Sequence, residues 1–345
     1  MRELNKKNIL QIEVLTPLHV GAGSEKDWIY GSDFVIHEGK VKILNIHKIT
    51  EFININDLTI ALLNKDGNSL IKKLGINLDK CVDKVFDSNY VGSNDIKTCI
   101  KNSLSNKPIV PGSSLKGALR SIIIKYLLQN SMNLEEKALL GKACDVDDFM
   151  RFIKISDAEF KKTNLVNTKI FNLHSSIKGG WKHGRNNTND KFNTNEFNTI
   201  YEVIEPQNKS LISISIANTA FCNYSKSKPF TEKKTLIINN DISYLFKIIN
   251  EHTKKYLQKE KNFFKKYNTA KTEKIIESID SLLSNIPNNG EYCILKMAAG
   301  SGFHSITGDW QFDDYSIDGV NTRRAVSRGT FKGDDSAKSR KIAVL

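Results

Sequence analysis

The sequence predicts an α+β protein of two ferredoxin-like domains with helical and loop insertions. Three observations lead to this prediction: a strand followed by a glycine-rich loop occurs near each end of the chain, the strands are short, and the helices between them are irregularly spaced. Such spacing favours ferredoxin-like units over a Rossmann sheet. The 345 residues suffice for about two domains of ~150 residues. We place the boundary where Glu205-Pro206-Gln207-Asn208 interrupts the chain, which gives domains 1–205 and 206–345.

Strands are predicted wherever apolar residues dominate or alternate over a short run. These runs cover residues 8–15, 33–44, 152–155, 169–173, 211–217 and 292–297. The second run is broken by Glu38-Gly39, which predicts a hairpin turn. Glycine-rich loops follow the first and the last run, at 17–24 and at 299–305.

Helices are predicted at 46–63, at 113–128 and, as two lysine-rich helices, within 242–284. The helix over 113–128 is the clearest, because Pro111-Gly112 interrupts the chain before it and apolar residues then recur at helical spacing. The lysine-rich pair is divided near Asn268-Thr269.

Charge and composition limit the class of protein. Lysine and arginine total 51 against 38 acidic residues, so the formal net charge is +13, an excess typical of proteins that bind polyanions. No apolar run approaches the ~20 residues of a membrane span, and Glu13 interrupts the apolar stretch after the basic N-terminus, which argues against a signal peptide. Five scattered cysteines argue against a disulfide framework and a zinc site. We therefore expect a cytoplasmic protein with no membrane contact, metal or cofactor.

The start of the 113–128 helix is the first candidate anion site. Its candidate residues are Gly112, Ser113, Ser114, Lys116, Gly117 and Arg120. Free N–H groups and the positive end of the helix dipole favour phosphate here, and the two cations, four residues apart, share one face. Gly117 keeps the backbone accessible, at a cost of about 1 kcal/mol in helix propensity relative to alanine. A solvated basic face on a core helix is the alternative explanation.

The two glycine-rich loops form the second candidate anion site, because glycine lets backbone N–H groups approach an anion closely. The candidate residues are His19, Gly21 and Gly23 in the first loop and Gly300, Ser301, Gly302, His304 and Ser305 in the second. The alternative for the second loop is a tight strand exit that requires positive φ angles. Neither loop has the pattern of a dinucleotide fingerprint or a P-loop.

Residues 178–199 are rich in glycine, asparagine, threonine and charge, which predicts a long surface loop. Its first part interleaves cations with an aromatic ring, a pattern that suits single-stranded nucleic acid. The candidate residues are Lys178, Trp181, Lys182 and Arg185. An insertion with one half-buried tryptophan is the alternative. Two further basic runs, Lys254–Lys266 and Arg323–Leu345, are typical of solvated faces or tails.

The sequence offers little for hydrolytic chemistry. Seven histidines show no paired metal-ligand spacing, and no G-x-S-x-G motif is present. His19, His304, Asp27 and Asp33 have the chemistry of a general acid or base for RNA, whose 2′-hydroxyl is an internal nucleophile. A structural role or a phosphate contact is the alternative for each of them. We predict no catalytic residue.

Four runs of the sequence resemble the RAMP superfamily of CRISPR proteins. The most specific is PIVPGSSLKGALR over 108–120, and the others are LTPLHVG over 15–21, FIKISDA over 152–158 and Gly300-Ser301-Gly302. Within the superfamily, the spacing of these runs and the length of the chain most resemble the fifth Csm subunits of type III-A interference complexes.

The resemblance implies two RRM-like, that is ferredoxin-like, domains and an RNA-binding subunit of the complex. Such a subunit binds CRISPR RNA (crRNA) towards its 3′ end, caps the filament of backbone subunits and supports crRNA maturation in antiviral defence. The implied partners are crRNA, target RNA, neighbouring backbone RAMP subunits and small helical subunits, with or without a recruited trimming nuclease.

The resemblance also bears on catalysis. Backbone RAMP subunits that cut target RNA use an aspartate in the loop after the first strand, and residues 23–33 depart from that pattern. A non-catalytic subunit is therefore our first hypothesis. The second is a metal-independent endoribonuclease that processes precursor crRNA with His19, His304 or an aspartate. The third is a structural adaptor whose basic faces meet acidic protein partners.

Overall fold

A computed structural model describes most of the chain. The described residues are 5–87, 94–128, 136–142, 147–173, 181–183, 199–218, 222, 229–266, 270–297, 312–317, 320–325 and 340–343. The helices are α1 (Ile46–Ile49), α2 (Ile55–Leu63), α3 (Gly67–Leu74), α4 (Gly112–Leu128), α5 (Glu136–Leu140), α6 (Glu232–Asn239), α7 (Ile242–Lys266) and α8 (Ala270–Ser284). The strands are β1 (Asn5–Glu13), β2 (Phe34–His37), β3 (Lys40–Leu44), β4 (Val82–Asp87), β5 (Ile96–Lys97), β6 (Ile109–Val110), β7 (Ile153–Ile155), β8 (Ala158–Glu159), β9 (Thr163–Leu173), β10 (Trp181–His183), β11 (Thr199–Ile204), β12 (Lys209–Ala217), β13 (Phe312–Ile317), β14 (Val320–Ala325) and β15 (Arg340–Ala343).

The largest apolar core lies against an antiparallel sheet with the strand order β1-β12-β7. The isoleucines of β12 alternate with serines, so that Ile212, Ile214 and Ile216 are buried in this core together with the apolar side of α4 and of α7. The order β1-α4-β7-β12-α7 matches the first five elements of a ferredoxin-like unit. The predicted mixture of helices and strands is confirmed, and the number of ferredoxin-like domains stays a prediction.

This sheet contains strands from both sides of the boundary that we placed at residue 206. Asn5 pairs with Ala217 and Glu13 with Lys209, so β1 and β12 are joined along their whole length. Strands that pair in a sheet need not be adjacent in the sequence. The turn-forming residues Glu205–Asn208 suit a turn between two strands of one sheet as well as a domain boundary. The domains 1–205 and 206–345 therefore stay a prediction, although they share one sheet.

A smaller layer, from β2 to β4, is inserted between β1 and α4. It has an apolar core of its own and shares a second one with Ile96 of β5 and Ile200 of β11. β2, β3 and β4 form an antiparallel sheet against which α3 packs. The predicted hairpin is confirmed: Glu38 and Gly39 have φ angles of 53° and 70°, which suit a tight turn with two left-handed residues. The predicted helical region over 46–63 is interrupted, because Asn45 caps α1 and Asn54 starts a new helix by accepting the N–H of Asn56 (2.9 Å).

The predicted helix over 113–128 is confirmed as α4, and the two lysine-rich helices are confirmed as α7 and α8. No helix within the described ranges has both the length and the apolar character needed to cross a bilayer.

The strand predicted over 292–297 is wrong. Side chains of α7 form hydrogen bonds with the backbone of this segment. Asn250 Oδ1 accepts the N–H of Ile294 (3.0 Å), and Thr253 Oγ1 donates to the carbonyl of Ile294 (2.6 Å). Asn250 Nδ2 also donates to the carbonyl of Tyr292 (2.9 Å). Because these groups are satisfied by a helix, the segment does not need a neighbouring strand, although its apolar side chains still pack on the core.

Candidate nucleic-acid interface

Short stretches of paired backbone bring the first glycine loop close to the start of α4. The N–H of Ile100 donates to the carbonyl of Val20 (2.8 Å), and the N–H of Ile109 donates to the carbonyl of Ile100 (3.0 Å). Adjacent paired segments lie ~4.8 Å apart, so Val20 lies on the order of 10 Å from Ile109, which leads into α4. The first glycine loop and the residues that lead into α4 are therefore neighbours.

Gly112 begins α4 in a confined position. Its N–H donates to Asp157 Oδ1 (2.7 Å), and a Cβ at residue 112 would lie 2.2 Å from the carbonyl oxygen of Ile155. The prediction of a free N–H at Gly112 is therefore wrong, because the Asp157 carboxylate already occupies the helix terminus as its anion. The N–H of Ser114 is engaged as well, by the carbonyl of Pro111 (2.9 Å).

The outer side of the first two turns of α4 is accessible. Ser113 is exposed, and Ser114, Lys116 and Gly117 are half-buried. A Cβ at Gly117 would meet nothing within 4 Å, so the backbone there borders open space. This side of α4 offers side chains and the Gly117 backbone to a ligand, whereas the amide of Gly112 is already hydrogen-bonded.

The cations of this region lie among acidic groups. Arg120 Nη1 is 3.9 Å from Asp148 Oδ1. Burial lowers the pKa of Lys116, Asp148 opposes this change, and Arg120 and the exposed Lys154 lower the pKa further. Mutual repulsion among these three cations is relieved by an added anion, which is the electrostatic condition for binding a phosphate.

His19 is buried rather than presented to solvent. Its Nδ1 lies 2.7 Å from the carbonyl oxygen of Glu202, and its ring packs edge-on against Tyr201 with the ring centroids 4.7 Å apart. Burial lowers the pKa of His19, so the ring is neutral near pH 7. The thiol of Cys99 donates to the same carbonyl (2.9 Å), and burial raises the pKa of Cys99 to about 12. Buried and hydrogen-bonded side chains of this kind are typical of a structural role. The Cys99 thiol stays protonated near pH 7 and is therefore not a nucleophile.

The two glycines of the first loop have different surroundings. Gly21 pairs with Cys99, and a Cβ at residue 21 would lie 3.2 Å from His19 Nε2. Gly23 has a φ angle of +106°, which side chains rarely adopt, and a short 3-10 turn begins after it. Both positions are exposed, so their backbone borders solvent beside the start of α4.

The two aspartates of this loop are engaged by the protein. Asp27 forms an ion pair with Lys97 and accepts the N–H of Thr98 (3.3 Å). Asp33 Oδ2 accepts the N–H of Ile29 (2.8 Å). Both carboxylates therefore hold the loop in shape, which is the structural alternative that the sequence left open for them.

Glu202 is the important residue that sequence reasoning missed. It has no exposed surface. Its Oε2 lies 3.1 Å from Lys101 Nζ and accepts the N–H of Cys99 (3.2 Å), while its Oε1 accepts the hydroxyl of Thr163 (2.8 Å) and lies 3.7 Å from Lys84 Nζ. The carboxylate thus ties the segment beside the first glycine loop to β9 and to β4 of the insertion.

A signal for Glu202 was present in the sequence. In β11 the buried side alternates as Ile200, Glu202 and Ile204, so a single acid stands on an otherwise apolar face. An acid in such a position is retained only with charged and hydrogen-bonding partners, which here are supplied by residues more than thirty positions away.

The remaining predicted site residues fall partly or wholly outside the described part of the chain. Trp181 and Lys182 belong to β10, which pairs antiparallel with β9, so these two positions are in a strand and not in the predicted loop. Outside the described residues lie Lys178, Arg185, Gly300, Ser301, Gly302, His304 and Ser305. Within the described ranges, no group of three or more His, Cys, Asp or Glu side chains is arranged to hold a metal ion.

Comparison with known proteins decides the family. Residues 11–311 match the RAMP superfamily. The chain belongs to this superfamily. The match covers the end of β1, α4, the insertion and the strands around Glu202, so the candidate interface lies within the part of the chain that the superfamily shares.

Among curated relatives, this RAMP chain is similar to the CRISPR system protein Csm5 of Methanocaldococcus jannaschii. The two are 25% identical over 199 residues, which are 47% of this chain and 46% of that protein, so the match spans about half of the relative's length.

Among solved structures, the RAMP chain resembles a chain of a Csm–crRNA–target RNA ternary complex of the type III-A CRISPR–Cas system, determined by cryo-EM. The TM-score is 0.61 at 15% identity, and the match covers 97% of both chains. The crystal structure of Csm5 from T. onnurineus gives a TM-score of 0.58 at 15% identity, over 84% of this chain and 90% of that chain. These likenesses establish a shared fold.

Proposed function

We propose that this RAMP chain is an RNA-binding subunit of a type III-A Csm effector complex, in the position of the fifth Csm subunit. It binds crRNA towards the 3′ end, caps the filament of backbone subunits and supports crRNA maturation. The observation that carries the proposal is the shared fold over 97% of the chain with a chain of an RNA-bound Csm complex, combined with superfamily membership.

The start of α4 supplies the RNA contact in this proposal. Lys116, Arg120 and Lys154 attract the phosphates, Ser113 offers a hydroxyl, and the open space at Gly117 lets the strand approach the helix. Phosphate contacts of this kind fix the position of a strand without reading its sequence. Guide sequence is then left to base pairing with the target RNA.

A non-catalytic role is supported by the state of the candidate acids and bases. His19 is buried against Tyr201, and both Asp27 and Asp33 are held by protein donors. None of these three is presented to an RNA strand as a free general base. The endoribonuclease hypothesis therefore has less support, and no observation favours it over RNA binding.

The proposed partners follow from the same placement. They are crRNA, target RNA, a neighbouring backbone RAMP subunit and the small helical subunits of the complex, with a trimming nuclease as a further partner during maturation. The proposed architecture is two ferredoxin-like domains, of which the elements β1, α4, β7, β12 and α7 belong to one.

The double variant Lys116→Gln/Arg120→Gln tests the proposal. We measure binding of a fluorescein-labelled 3′ fragment of crRNA by fluorescence anisotropy between ~50 and ~300 mM salt. Loss of two phosphate contacts should flatten the slope of log K against log salt by about 1.4 and weaken binding at every sequence tested, since each contact to a single strand contributes about 0.7. A matched 5′ fragment reports the preference for the 3′ end.

The matched control is Lys72→Gln/Lys73→Gln on α3, which removes the same charge from the exposed surface of the insertion. Equal slopes for the two variants, with intact circular dichroism spectra, would refute a role for the start of α4. Incubation of the protein with labelled precursor crRNA, with and without EDTA, tests catalysis. Cleavage that disappears in His19→Ala would replace the non-catalytic proposal by the endoribonuclease.

A further inference from the structure

The exposed side of α7 carries a row of lysines that the proposed function does not use. Lys254, Lys255, Lys259 and Lys265 are all exposed on this helix, and the row extends over about 17 Å at 1.5 Å per residue. We call these four residues the lysine face. Glu251, one turn before Lys255, is the exposed acid at the edge of the row.

The nearby acids of the helical hairpin are committed to other lysines. Glu260 Oε2 accepts from Lys296 Nζ (2.9 Å), and Asp280 forms an ion pair with Lys261. Lys261 joins α7 to α8, and Lys296 joins the segment that follows α8 to α7; both lysines are partly buried. These two acids therefore hold the hairpin together, while Glu273 and Glu277 are the exposed acids of α8.

Lys125 of the neighbouring helix α4 adds to the positive electrostatic potential near the lysine face. α4 packs beside α7, where Tyr126 and Tyr244 share a hydrogen bond between their hydroxyls (2.9 Å). Burial lowers the pKa of His252, and the charges of Lys125 on α4 and of Lys255 and Lys259 on α7 lower it further, to about 4. Because α4 and α7 are in contact beside Tyr126 and Tyr244, Lys125 adds positive charge next to the helix that carries the lysine face.

The lysine face with Lys125 is distinct from the start of α4. Lys125 lies 13 residues after Gly112 along α4, a distance of about 20 Å at 1.5 Å per residue. A basic groove that tracks a nucleic-acid backbone gains affinity from each phosphate it neutralises, whatever the sequence. The length of the lysine face allows several phosphates of one strand to be contacted together.

We propose that the lysine face of α7, with Lys125, is a second contact for the ribose-phosphate backbone of RNA, separate from the start of α4. The inference rests on the proposed RNA binding but adds a surface to it. Its role is electrostatic: it holds the strand by phosphate contacts, independent of sequence, while the start of α4 positions it.

The triple variant Lys254→Gln/Lys255→Gln/Lys259→Gln tests this inference in the full chain. Binding of a fluorescein-labelled single-stranded RNA is measured by anisotropy over the same salt range. Loss of three contacts should flatten the salt slope by about 2 and weaken binding on the order of 10- to 50-fold near 0.15 M salt. The charge-conserving variant with arginine at the same three positions should bind like the original chain.

A control for net charge is Lys72→Gln/Lys73→Gln/Lys80→Gln, which removes three exposed lysines from the insertion. Equal affinity and slope for this control and the lysine-face variant would overturn the inference. If only Lys116→Gln/Arg120→Gln weakens binding, the second contact is refuted while the proposed function survives. If the lysine-face variant keeps its RNA affinity but no longer assembles with nuclease-treated, co-expressed Csm subunits, the face is a protein contact and the inference is likewise overturned.

Discussion

Replacing Glu202 by glutamine removes one negative charge from the buried junction of the first glycine loop, β9 and β4 while keeping the size of the side chain. Removal of one partner from a buried ion pair costs about 3–5 kcal/mol, because the remaining charge is left uncompensated. Here the side chains of Lys101 and Lys84 retain 22% and 41% of their exposure, so both ammonium groups recover some hydration. We therefore expect a loss near the lower limit, about 2–3 kcal/mol.

Urea denaturation followed by circular dichroism measures this loss. With a slope of ~2–3 kcal/mol/M, the unfolding midpoint of Glu202→Gln should fall by about 1 M. Glu159→Gln is the matched control: Glu159 holds Lys107 at 2.9 Å on the exposed surface, and its midpoint should not change measurably. Adding Lys101→Met to Glu202→Gln should recover part of the loss, because one uncompensated cation is then removed. An unchanged midpoint for Glu202→Gln would refute the reasoning.

Three further predictions concern single positions. Gly112→Ala should destabilise the protein by about 1–3 kcal/mol in thermal melting, because the new Cβ would lie 2.2 Å from the Ile155 carbonyl and the backbone must shift. Gly117→Ala, whose Cβ would meet nothing within 4 Å, should instead stabilise α4 by up to about 1 kcal/mol in the same melts. It should also lower RNA affinity in the anisotropy assay, because the new methyl group would occupy the side by which the proposed strand approaches. His252 has a pKa lowered to about 4, so the folded state binds its proton less readily than the unfolded state, and stability should fall between pH 6.5 and 4; His252→Asn should show a shallower fall in that window.

The elements that sequence predicted well are those with a local cause. The helix of α4 has a chain break before it and a regular apolar stripe, and the hairpin at Glu38-Gly39 has two residues suited to left-handed angles. Each of these features is determined by residues that are adjacent in the sequence. The strand expected over 292–297 failed for the opposite reason, since Asn250 and Thr253 satisfy its backbone from a helix about forty residues earlier.

The sequence allowed the candidate residues to be named, but it did not show which of their hydrogen-bonding groups are buried or already engaged in the folded protein. The sequence identified Gly112 and Lys116, but it gave no sign that Asp157, forty-five residues later, would occupy the amide of Gly112. Likewise His19 stands beside a glycine loop in sequence, while its burial depends on Tyr201, which reaches it only through the fold. Contacts between distant segments decide which donors remain available to a ligand, and periodicity within one segment does not report them.

The pairing of β1 with β12 also means that β1 is synthesised well before the strand with which it pairs. Glu13 and Lys209 are 196 positions apart in the chain, so a ribosome adding ~5–20 residues per second completes the partner strand about 10–40 s after the first. During that interval the N-terminal segment, with Ile9, Leu10 and Ile12, has an unpaired hydrogen-bonding edge. Lys6 and Lys7 place positive charges on this strand. Repulsion between these charges opposes edge-to-edge pairing with a second copy of the chain before β12 is available.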